Sequence, residues 1–266
     1  MKVLACVAVL VAAVVAGALY LGVYDVSATD QHLAPTYRIL DTAMRRSVRQ
    51  RAAGITVPDL GRPVQLQRGL ALYREHCVQC HGAPGVAPEP FALGLTPAPA
   101  NLAYTAREWP PADLFWVVKE GIKMTGMPAW KHRMADEEIW AIVSFLRELP
   151  GLSPEDYRSR KAERAIAIAP AASTPDAGRG RKAIHQYACA TCHEIPGIVG
   201  ANAPVGPPLK QIGTRGFIAG VLPNTPENMV RWLRQPQSVN PRSAMPDLGV
   251  PEGDARDIAA FLSTIK

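Results

Sequence analysis

The chain has 266 residues, of which 48% are apolar and 20% are charged, and this composition is typical of a globular protein and excludes a disordered one. Its length predicts one large domain or two small ones. The formal net charge of +6 is not accompanied by interleaved basic and aromatic residues, so it does not predict a nucleic-acid partner.

An uncharged segment opens the chain, from Val3 to Val23. It is about as long as a helix that spans a bilayer. Because Lys2 precedes it, its start should stay in the cytoplasm and the rest of the chain should lie outside. The sequence therefore predicts an uncleaved transmembrane helix within residues 1–26. A cleaved signal peptide is the alternative, but its apolar region would normally be only about 7–15 residues long.

Residues 27–62 are predicted to form an amphipathic juxtamembrane stalk. Apolar side chains recur there at helical spacing, with arginines on the other face. These apolar residues are Tyr37, Leu40, Met44 and Val48. The stripe predicts either a helix on the membrane surface or a docking helix, and a spacer that packs on the next domain is an open alternative.

The first globular unit is predicted over residues 63–150 and contains Cys77-Val78-Gln79-Cys80-His81. This is the C-x-x-C-H spacing of a c-type haem attachment site. One helical turn can direct two thiols at this spacing towards the vinyl groups of one porphyrin. The residue that follows then places an imidazole under the iron.

A linker rich in alanine and proline is predicted over residues 151–178, and it should be semi-rigid and solvated. The second unit follows over residues 179–266 and contains Cys189-Ala190-Thr191-Cys192-His193. The same spacing predicts a second covalently bound haem c. Two buried porphyrins would supply apolar surface that the cores of such small domains lack.

The two units repeat each other as small all-α units. Each has a glycine in the helix before its motif, Gly69 or Gly180. Since glycine normally weakens a helix, we expect it here to let the first and last helices of each unit cross closely. The closing helices carry matching apolar residues, namely Ile142, Phe145 and Leu146 in the first unit and Ile258, Phe261 and Leu262 in the second.

Other uses of the cysteines fit the sequence less well. A zinc ribbon needs two Cys-x-x-Cys pairs about 15–20 residues apart, whereas Cys80 and Cys189 are separated by 109 positions. A thioredoxin-type redox pair needs a βαβ context, and no strand pattern is evident. Cys6, the fifth cysteine, is expected to be an apolar residue of the membrane segment.

Each iron is predicted to have one histidine and one methionine ligand, an arrangement that raises the reduction potential. His81 and His193 are the proximal candidates. The favoured methionines both precede a proline, and they are Met127 in the first unit and Met245 in the second. The alternatives are Met124 in the first unit and Met229 in the second, with Met134 and His132 as weaker candidates.

A ligating histidine usually donates its second ring proton to a fixed acceptor. A backbone carbonyl in the proline-rich loop after each motif could accept that proton. The candidate is Pro207 in Gly206-Pro207-Pro208-Leu209, and it is Pro99 in Pro99-Ala100-Asn101-Leu102. The other histidines are interpreted as solvated or structural residues.

The two motifs, Gly206-Pro207, the two Met-Pro pairs and the closing helices resemble the class I cytochromes c, twice over. The resemblance implies an all-α protein in which an N-terminal transmembrane helix precedes two tandem class I cytochrome c domains. It also implies two covalently bound haem c groups. In each domain a few helices would surround one haem and leave one haem edge exposed for electron transfer.

Each unit has a more particular resemblance. Residues 218–228 with Trp232-Leu233 look like the cytochrome domain fused to subunit II of caa-type oxidases, and residues 121–130 look like a segment of membrane-anchored bacterial cytochromes c. The chain departs from subunit II because it has no copper-binding stretch with a Cys-x-x-x-Cys pair. It also differs from the dihaem subunit of cbb-type oxidases, whose anchor usually follows a longer cytoplasmic segment.

These features predict a dihaem electron carrier anchored in the bacterial inner membrane, with both haem domains in the periplasm. The expected partners are a quinol-oxidising complex or a dehydrogenase as donor and a terminal oxidase as acceptor. A fixed subunit of an oxidase or dehydrogenase complex is the alternative. A dihaem peroxidase would need an open sixth position on the iron, and the two methionine candidates argue against it, so no catalytic residue is predicted.

Overall fold

The computed structural model describes residues 2–161 and 174–266. The described residues are mostly helical, in agreement with the predicted all-α class, and their strands belong to one short hairpin. Residues 162–173 of the predicted alanine- and proline-rich linker lie outside the described residues.

The N-terminal helix α1 (Lys2–Tyr20) is long and apolar enough to cross a membrane. None of its residues is buried against the rest of the chain. A membrane anchor and an N-terminal signal sequence share these properties.

The predicted apolar stripe lies on helix α2 (Ala34–Ala52), and one part of it is buried while the other is exposed. Val48 and Ala52, near its C-terminal end, are buried, and the guanidinium of Arg45 lies 5.4 Å from the ring centroid of Trp109. Tyr37 and Leu40, near its N-terminal end, are exposed. The C-terminal half of α2 therefore packs on the helix Pro111–Glu120 of the first unit, whereas its N-terminal half is exposed.

The first unit is built on a close crossing of its first and last long helices. Its helical elements are α3 (Pro63–His76), α4 (Val78–His81), α5 (Pro90–Leu93), α6 (Leu102–Glu108), α7 (Pro111–Glu120), a 3-10 turn (Trp130–His132), α8 (Asp136–Glu148) and a 3-10 turn (Leu149–Gly151). A Cβ on Gly69 of α3 would lie only 2.0 Å from the carbonyl oxygen of Ala141 in α8. The expected role of this glycine is thereby confirmed, because any side chain would separate the two helices.

A further short helix, α9 (Pro154–Ser159), lies where the sequence predicts linker. Its Tyr157 is buried in the core of the first unit. Arg74 of α3 donates hydrogen bonds to the carbonyls of Tyr157 and Arg160. The first unit therefore continues at least ten residues beyond the predicted boundary at 150, because one aromatic side chain ties this segment to the core.

The second unit repeats the same crossing. Its elements are α10 (Ala177–Gln186), a 3-10 turn (Cys189–Thr191), a 3-10 turn (Ile212–Thr214), strands β1 (Phe217–Ile218) and β2 (Leu222–Pro223), and helices α11 (Pro226–Arg234), α12 (Pro236–Val239) and α13 (Glu252–Ser263). A Cβ on Gly180 of α10 would lie 1.9 Å from the carbonyl oxygen of Asp257 in α13. The side chain of Asp176 accepts from the amide of Arg179 and caps α10, so this unit begins about three residues before the predicted boundary at 179.

The matching apolar residues of the closing helices form the centres of the two cores. Ile142, Phe145 and Leu146 are buried in the first unit, and Ile258, Phe261 and Leu262 are buried in the second. Burial of each such side chain contributes about 1.5–3 kcal/mol. Both cores therefore lie between the helix that precedes each motif and the helix that closes the unit.

Candidate haem-binding sites

Each motif forms one tight turn that starts at its first cysteine. The amide of His81 donates to the carbonyl of Cys77 at 2.9 Å, and the amide of His193 donates to that of Cys189 at 3.1 Å. The turn is the α-helix α4 in the first unit and a 3-10 turn in the second. In both units one helical turn therefore carries the two thiols and the imidazole.

Both histidine rings are held by a backbone carbonyl. Nδ1 of His81 lies 2.7 Å from the carbonyl oxygen of Ala100, and Nδ1 of His193 lies 2.8 Å from that of Pro207. A carbonyl oxygen can only accept, so Nδ1 carries the proton in each ring. The lone pair of Nε2 is then free to bind a metal.

The acceptor in the first unit is Ala100, one residue after Pro99, which the sequence predicts. The reason is a matter of register. Counted back from the leucine that ends each loop, Ala100 corresponds to Pro207, and Pro99 corresponds to Gly206. Asn101 fixes this register, because its side chain accepts from the amide of Tyr104 and caps α6.

Gly206 packs directly on the ring of His193. A Cβ there would lie 2.5 Å from Cε1 and 2.7 Å from Nδ1 of that ring. The loop can therefore approach the imidazole edge only because this residue has no side chain. In the first unit, the buried Tyr73 hydroxyl donates to the carbonyl of Gly82, the residue after His81, at 2.5 Å.

Burial sets the protonation of the thiols and of one histidine. Burial raises the pKa of the Cys77 thiol to about 12, and burial raises that of Cys189 to about 11. Reactive redox cysteines have lowered pKa values, so these thiols are unlike a thioredoxin pair. Burial also lowers the pKa of His81, although its bond to Ala100 opposes the shift, and this favours the neutral imidazole that a metal requires.

The two favoured methionines lie in loops with the same local structure. The amide of Met127 donates to the hydroxyl of Thr125 at 3.1 Å, and the amide of Met245 donates to the hydroxyl of Ser243 at 3.1 Å. Both methionine side chains are partly buried against the core of their own unit. Thr125 and Ser243 are not among the residues predicted from the sequence, although a shared Ser/Thr-x-Met-Pro pattern marks both positions.

The loop of Met127 also depends on a glycine at the end of α7. Gly121 has a φ of +68°, and a Cβ there would lie 2.7 Å from the carbonyl oxygen of Met127. The amide of Ile122 donates to that same carbonyl at 3.2 Å. In the second unit the side chain of Gln237 donates to the carbonyl of Met245 at 2.6 Å and has a comparable effect.

The alternative methionines have different surroundings. Met124 is 88% exposed and adopts a φ of +62°. Met229 and Met134 are buried in the cores of their units. Met124 is therefore solvated, and Met229 and Met134 are core residues. Met127 and Met245 differ from them because they are partly buried and lie in loops.

The donors in each unit suit a covalently attached haem. Each site offers two thiols on one turn, an imidazole with an unprotonated Nε2 and a partly buried thioether. Among residues 2–161 and 174–266, no group of three or more His, Cys, Asp or Glu side chains could hold a metal ion. The cysteines therefore have no zinc-like cluster in the described part of the chain.

The family model described as cytochrome c oxidase, cbb3-type, subunit III, matches residues 64–146, which lie in the first unit. The match covers this cytochrome domain and does not extend to the residues before position 64.

Two curated proteins named cytochrome c oxidase subunit 2 also match. The chain is 34% identical over 93 residues to the protein of Alkalihalophilus pseudofirmus strain OF4, and the match covers 34% of this chain and 26% of the relative. It is 36% identical over 78 residues to the protein of Bacillus sp. strain PS3, with 29% and 22% covered. The chain thus spans about a quarter of the length of these relatives.

No solved structure matches the chain significantly. The donor geometry and the relatives nevertheless agree on the nature of the matched domain. The chain contains a cytochrome c domain that is related to domains of terminal-oxidase subunits.

Proposed function

We propose that this chain is a membrane-anchored dihaem c-type cytochrome that transfers electrons on the periplasmic side of a respiratory chain. One observation carries the proposal. Both Cys-x-x-Cys-His turns direct Nδ1 of the histidine to a loop carbonyl, at 2.7 and 2.8 Å. A second unit with the same donors as the family-matched unit is the basis for proposing two haem groups.

In this proposal, Cys77 and Cys80 would attach the first haem, and His81 and Met127 would ligate its iron. Cys189, Cys192, His193 and Met245 have the same roles in the second unit. When bound, a haem c with histidine and methionine ligands supplies a one-electron couple of raised potential.

The loop residues position these ligands. The carbonyls of Ala100 and Pro207 fix the tautomer and the rotation of the two imidazoles. Thr125 and Ser243 hold the amides of the two methionines. Partial burial of the thioethers would limit the access of water to a bound iron, so exogenous ligands should bind poorly.

Helix α1 would act as the anchor. Its exposed apolar surface and the positive charge of Lys2 at its start support a single pass with the haem units outside the cytoplasm. Attachment of haem c in bacteria takes place on that side of the inner membrane. The exposed N-terminal half of α2 would then lie close to the membrane surface.

The donor would be a quinol-oxidising complex or a dehydrogenase, and the acceptor would be a terminal oxidase. The names of the relatives favour one alternative, in which the chain is a fixed electron-entry subunit of an oxidase. A peroxidase is disfavoured, because partly buried methionine candidates occupy both units.

The test is spectroscopic. The full chain is tagged at its C-terminus and purified from gently solubilised membranes, and the haem c content per chain is measured together with reduced-minus-oxidised spectra. Two haem c per chain without other chromophores supports a free carrier, whereas stoichiometric haem a or b and copper indicate a fixed oxidase subunit. A double variant with C189A and C192A should retain one haem c, and retention of two would refute the attachment in the second unit.

A further inference from the structure

We infer that the contact between His132 and Arg133 of the first unit and Tyr187 and Asp254 of the second positions the two units for electron transfer between them. These four residues are called the unit junction below. The inference rests on the proposed dihaem function, and it assigns positioning roles to residues that bind no haem.

The centre of the unit junction is the hydroxyl of Tyr187. It lies 2.7 Å from Oδ2 of Asp254 and 3.0 Å from the carbonyl oxygen of His132, so one proton is shared between acceptors in the two units. Nδ1 of His132 lies 3.4 Å from Oδ2 of Asp254. Each unit therefore contributes a polar side chain that contacts the other unit: Tyr187 contacts the His132 carbonyl, and the His132 ring contacts Asp254.

Arg133 covers this centre on one side. Its guanidinium lies 5.4 Å from the ring centroid of Tyr187, and its Nη2 donates to the carbonyl of Gln186 at 3.4 Å. The Tyr187 residue is only 4% exposed and the His132 side chain 9%. A buried polar group that lacks a hydrogen-bond partner destabilises the arrangement that leaves it so, and these bonds therefore select one relative arrangement of the units.

The unit junction reaches the haem attachment site of the first unit through aromatic contacts. His132 and Trp130 belong to the same 3-10 turn. The Trp130 ring lies 5.1 Å from the ring of His76, and Cys77 is the next residue in the chain.

The unit junction contacts the haem attachment site of the second unit directly, through Tyr187 and Cys189. The carbonyl oxygen of Tyr187 lies 3.9 Å from Sγ of Cys189. A continuous series of bonded and packed groups therefore connects Cys77 to Cys189. Loss of the unit junction would replace this connection with solvent.

The step that the unit junction serves is a one-electron exchange. If both haems are bound, one iron would pass from Fe(II) to Fe(III) while the other would pass from Fe(III) to Fe(II), and no bond or proton would be transferred. The Tyr187 ring and the His132 backbone remain chemically unchanged. Their role is to hold the two attachment sites at a fixed separation.

The first test uses Tyr187→Phe, which retains the ring and removes both hydroxyl bonds. Its matched control is Tyr104→Phe, because the Tyr104 hydroxyl bonds only within the first unit, to Glu108. Gd(III) spin labels are attached to exposed cysteines introduced as Val64→Cys and Phe217→Cys, in a Cys6→Ala background of the full chain. Distance distributions between the labels report docking, and flash photoreduction reports the rate of electron equilibration between the haems.

We expect Tyr187→Phe to lower the docked-to-open ratio by about tenfold, equivalent to 1.4 kcal/mol, and to slow the equilibration by a similar factor. Both haem potentials should stay the same, and Tyr104→Phe should change neither readout. An unaltered distance distribution in Tyr187→Phe overturns the inference. A broadened distribution with an unaltered equilibration rate overturns the role in electron transfer.

Arg133→Gln provides a second variant in case Tyr187→Phe folds poorly, because Arg133 is exposed. It should broaden the distance distribution to a smaller extent, and the absence of any broadening contradicts the inference. Haem content separates this inference from the proposed function. One haem per chain refutes the dihaem proposal, and the distance measurement still reports on the unit junction once the two motif cysteines without haem are replaced by alanine.

Discussion

The two candidate haem sites reach the same histidine geometry by different routes. The loop from His81 to its acceptor spans 19 positions and contains α5, whereas the loop from His193 to its acceptor spans 14. The first motif is an α-helical turn, and the second is a 3-10 turn that follows the left-handed Ala188. What the repeats share is a small set of contacts at the imidazole, at the methionine amide and at the helix crossing.

The sites differ in their enclosure. The first unit is covered by α2 through Val48 and by α9 through Tyr157, and its Cys77 is buried, whereas Cys189 is only partly buried. The second unit gains cover at the unit junction. At its first cysteine, the second site is therefore the more open to solvent.

The largest expected effect concerns the helix crossings that both units share. Gly69→Ala or Gly180→Ala would place a Cβ about 2 Å from a backbone carbonyl oxygen. Overpacking against backbone should destabilise the unit by about 3 kcal/mol, measured by chemical denaturation of the holoprotein. The matched control is Gly253→Ala in α13, where a Cβ meets nothing within 4 Å, and this variant should be neutral or slightly stabilising. Equal stabilities for all three variants would contradict the crossing.

The next largest effect is expected when a proposed methionine ligand is removed. Met127→Ala should open the first iron to carbon monoxide and lower its potential by on the order of 0.1 V, because the thioether ligand is lost. The equivalent change in the second unit is Met245→Ala. Carbon monoxide titration and redox potentiometry measure both results.

The controls for that prediction are the methionines with other surroundings. Met124→Ala should leave ligand binding unchanged, because Met124 is exposed. Met229→Ala should reduce stability by about 2–5 kcal/mol without opening the iron. If Met124→Ala binds carbon monoxide and Met127→Ala does not, the ligand assignment in the first unit is wrong.

A smaller effect is expected when the hydroxyl of Thr125 or Ser243, which accepts from a methionine amide, is removed. Thr125→Ala and Ser243→Ala each remove an acceptor at 3.1 Å from a methionine amide, at a cost of about 1 kcal/mol. Thr125 also donates to the carbonyl of Ile122 at 2.7 Å, so its loss should be the larger. The populations of methionine-ligated iron in the two variants, read from their ferric absorption spectra, check this order. An equal or reversed order would mean that the second bond of Thr125 adds nothing.

The repeated features could be predicted because they are local. The glycine in each first helix and the apolar triplet in each last helix follow from spacing alone, and their packing is confirmed. The sequence predicts Pro99 as the acceptor for His81, whereas the structure has Ala100, the next residue. The register of this loop depends on the helix cap at Asn101, and periodicity does not reveal such a cap. The helix around Tyr157 lies in a polar segment, where a single buried aromatic residue outweighs the composition.

The unit junction could not be predicted from the sequence at all. His132, Tyr187 and Asp254 lie in three distant segments and share no pattern. Their contact exists only after both units have folded and met. Side chains that connect two separately folded units carry no periodic signal, so their positions follow from the structure.

The smallest expected effect is the pH dependence of the unit junction. Burial raises the pKa of Asp254, but hydrogen bonds with His132 and Tyr187 and the charge of Arg133 outweigh it, and the net pKa lies below the ordinary value of 3.8. The carboxylate therefore contributes its full stabilisation above about pH 4, and this contribution is lost as the pH falls through the lowered pKa. In the labelled protein, the docked fraction should decrease in that acidic range. Asp254→Asn should have a smaller docked fraction at neutral pH and should lose this acid-dependent step, and an unchanged step in that variant would assign the pH dependence to another group.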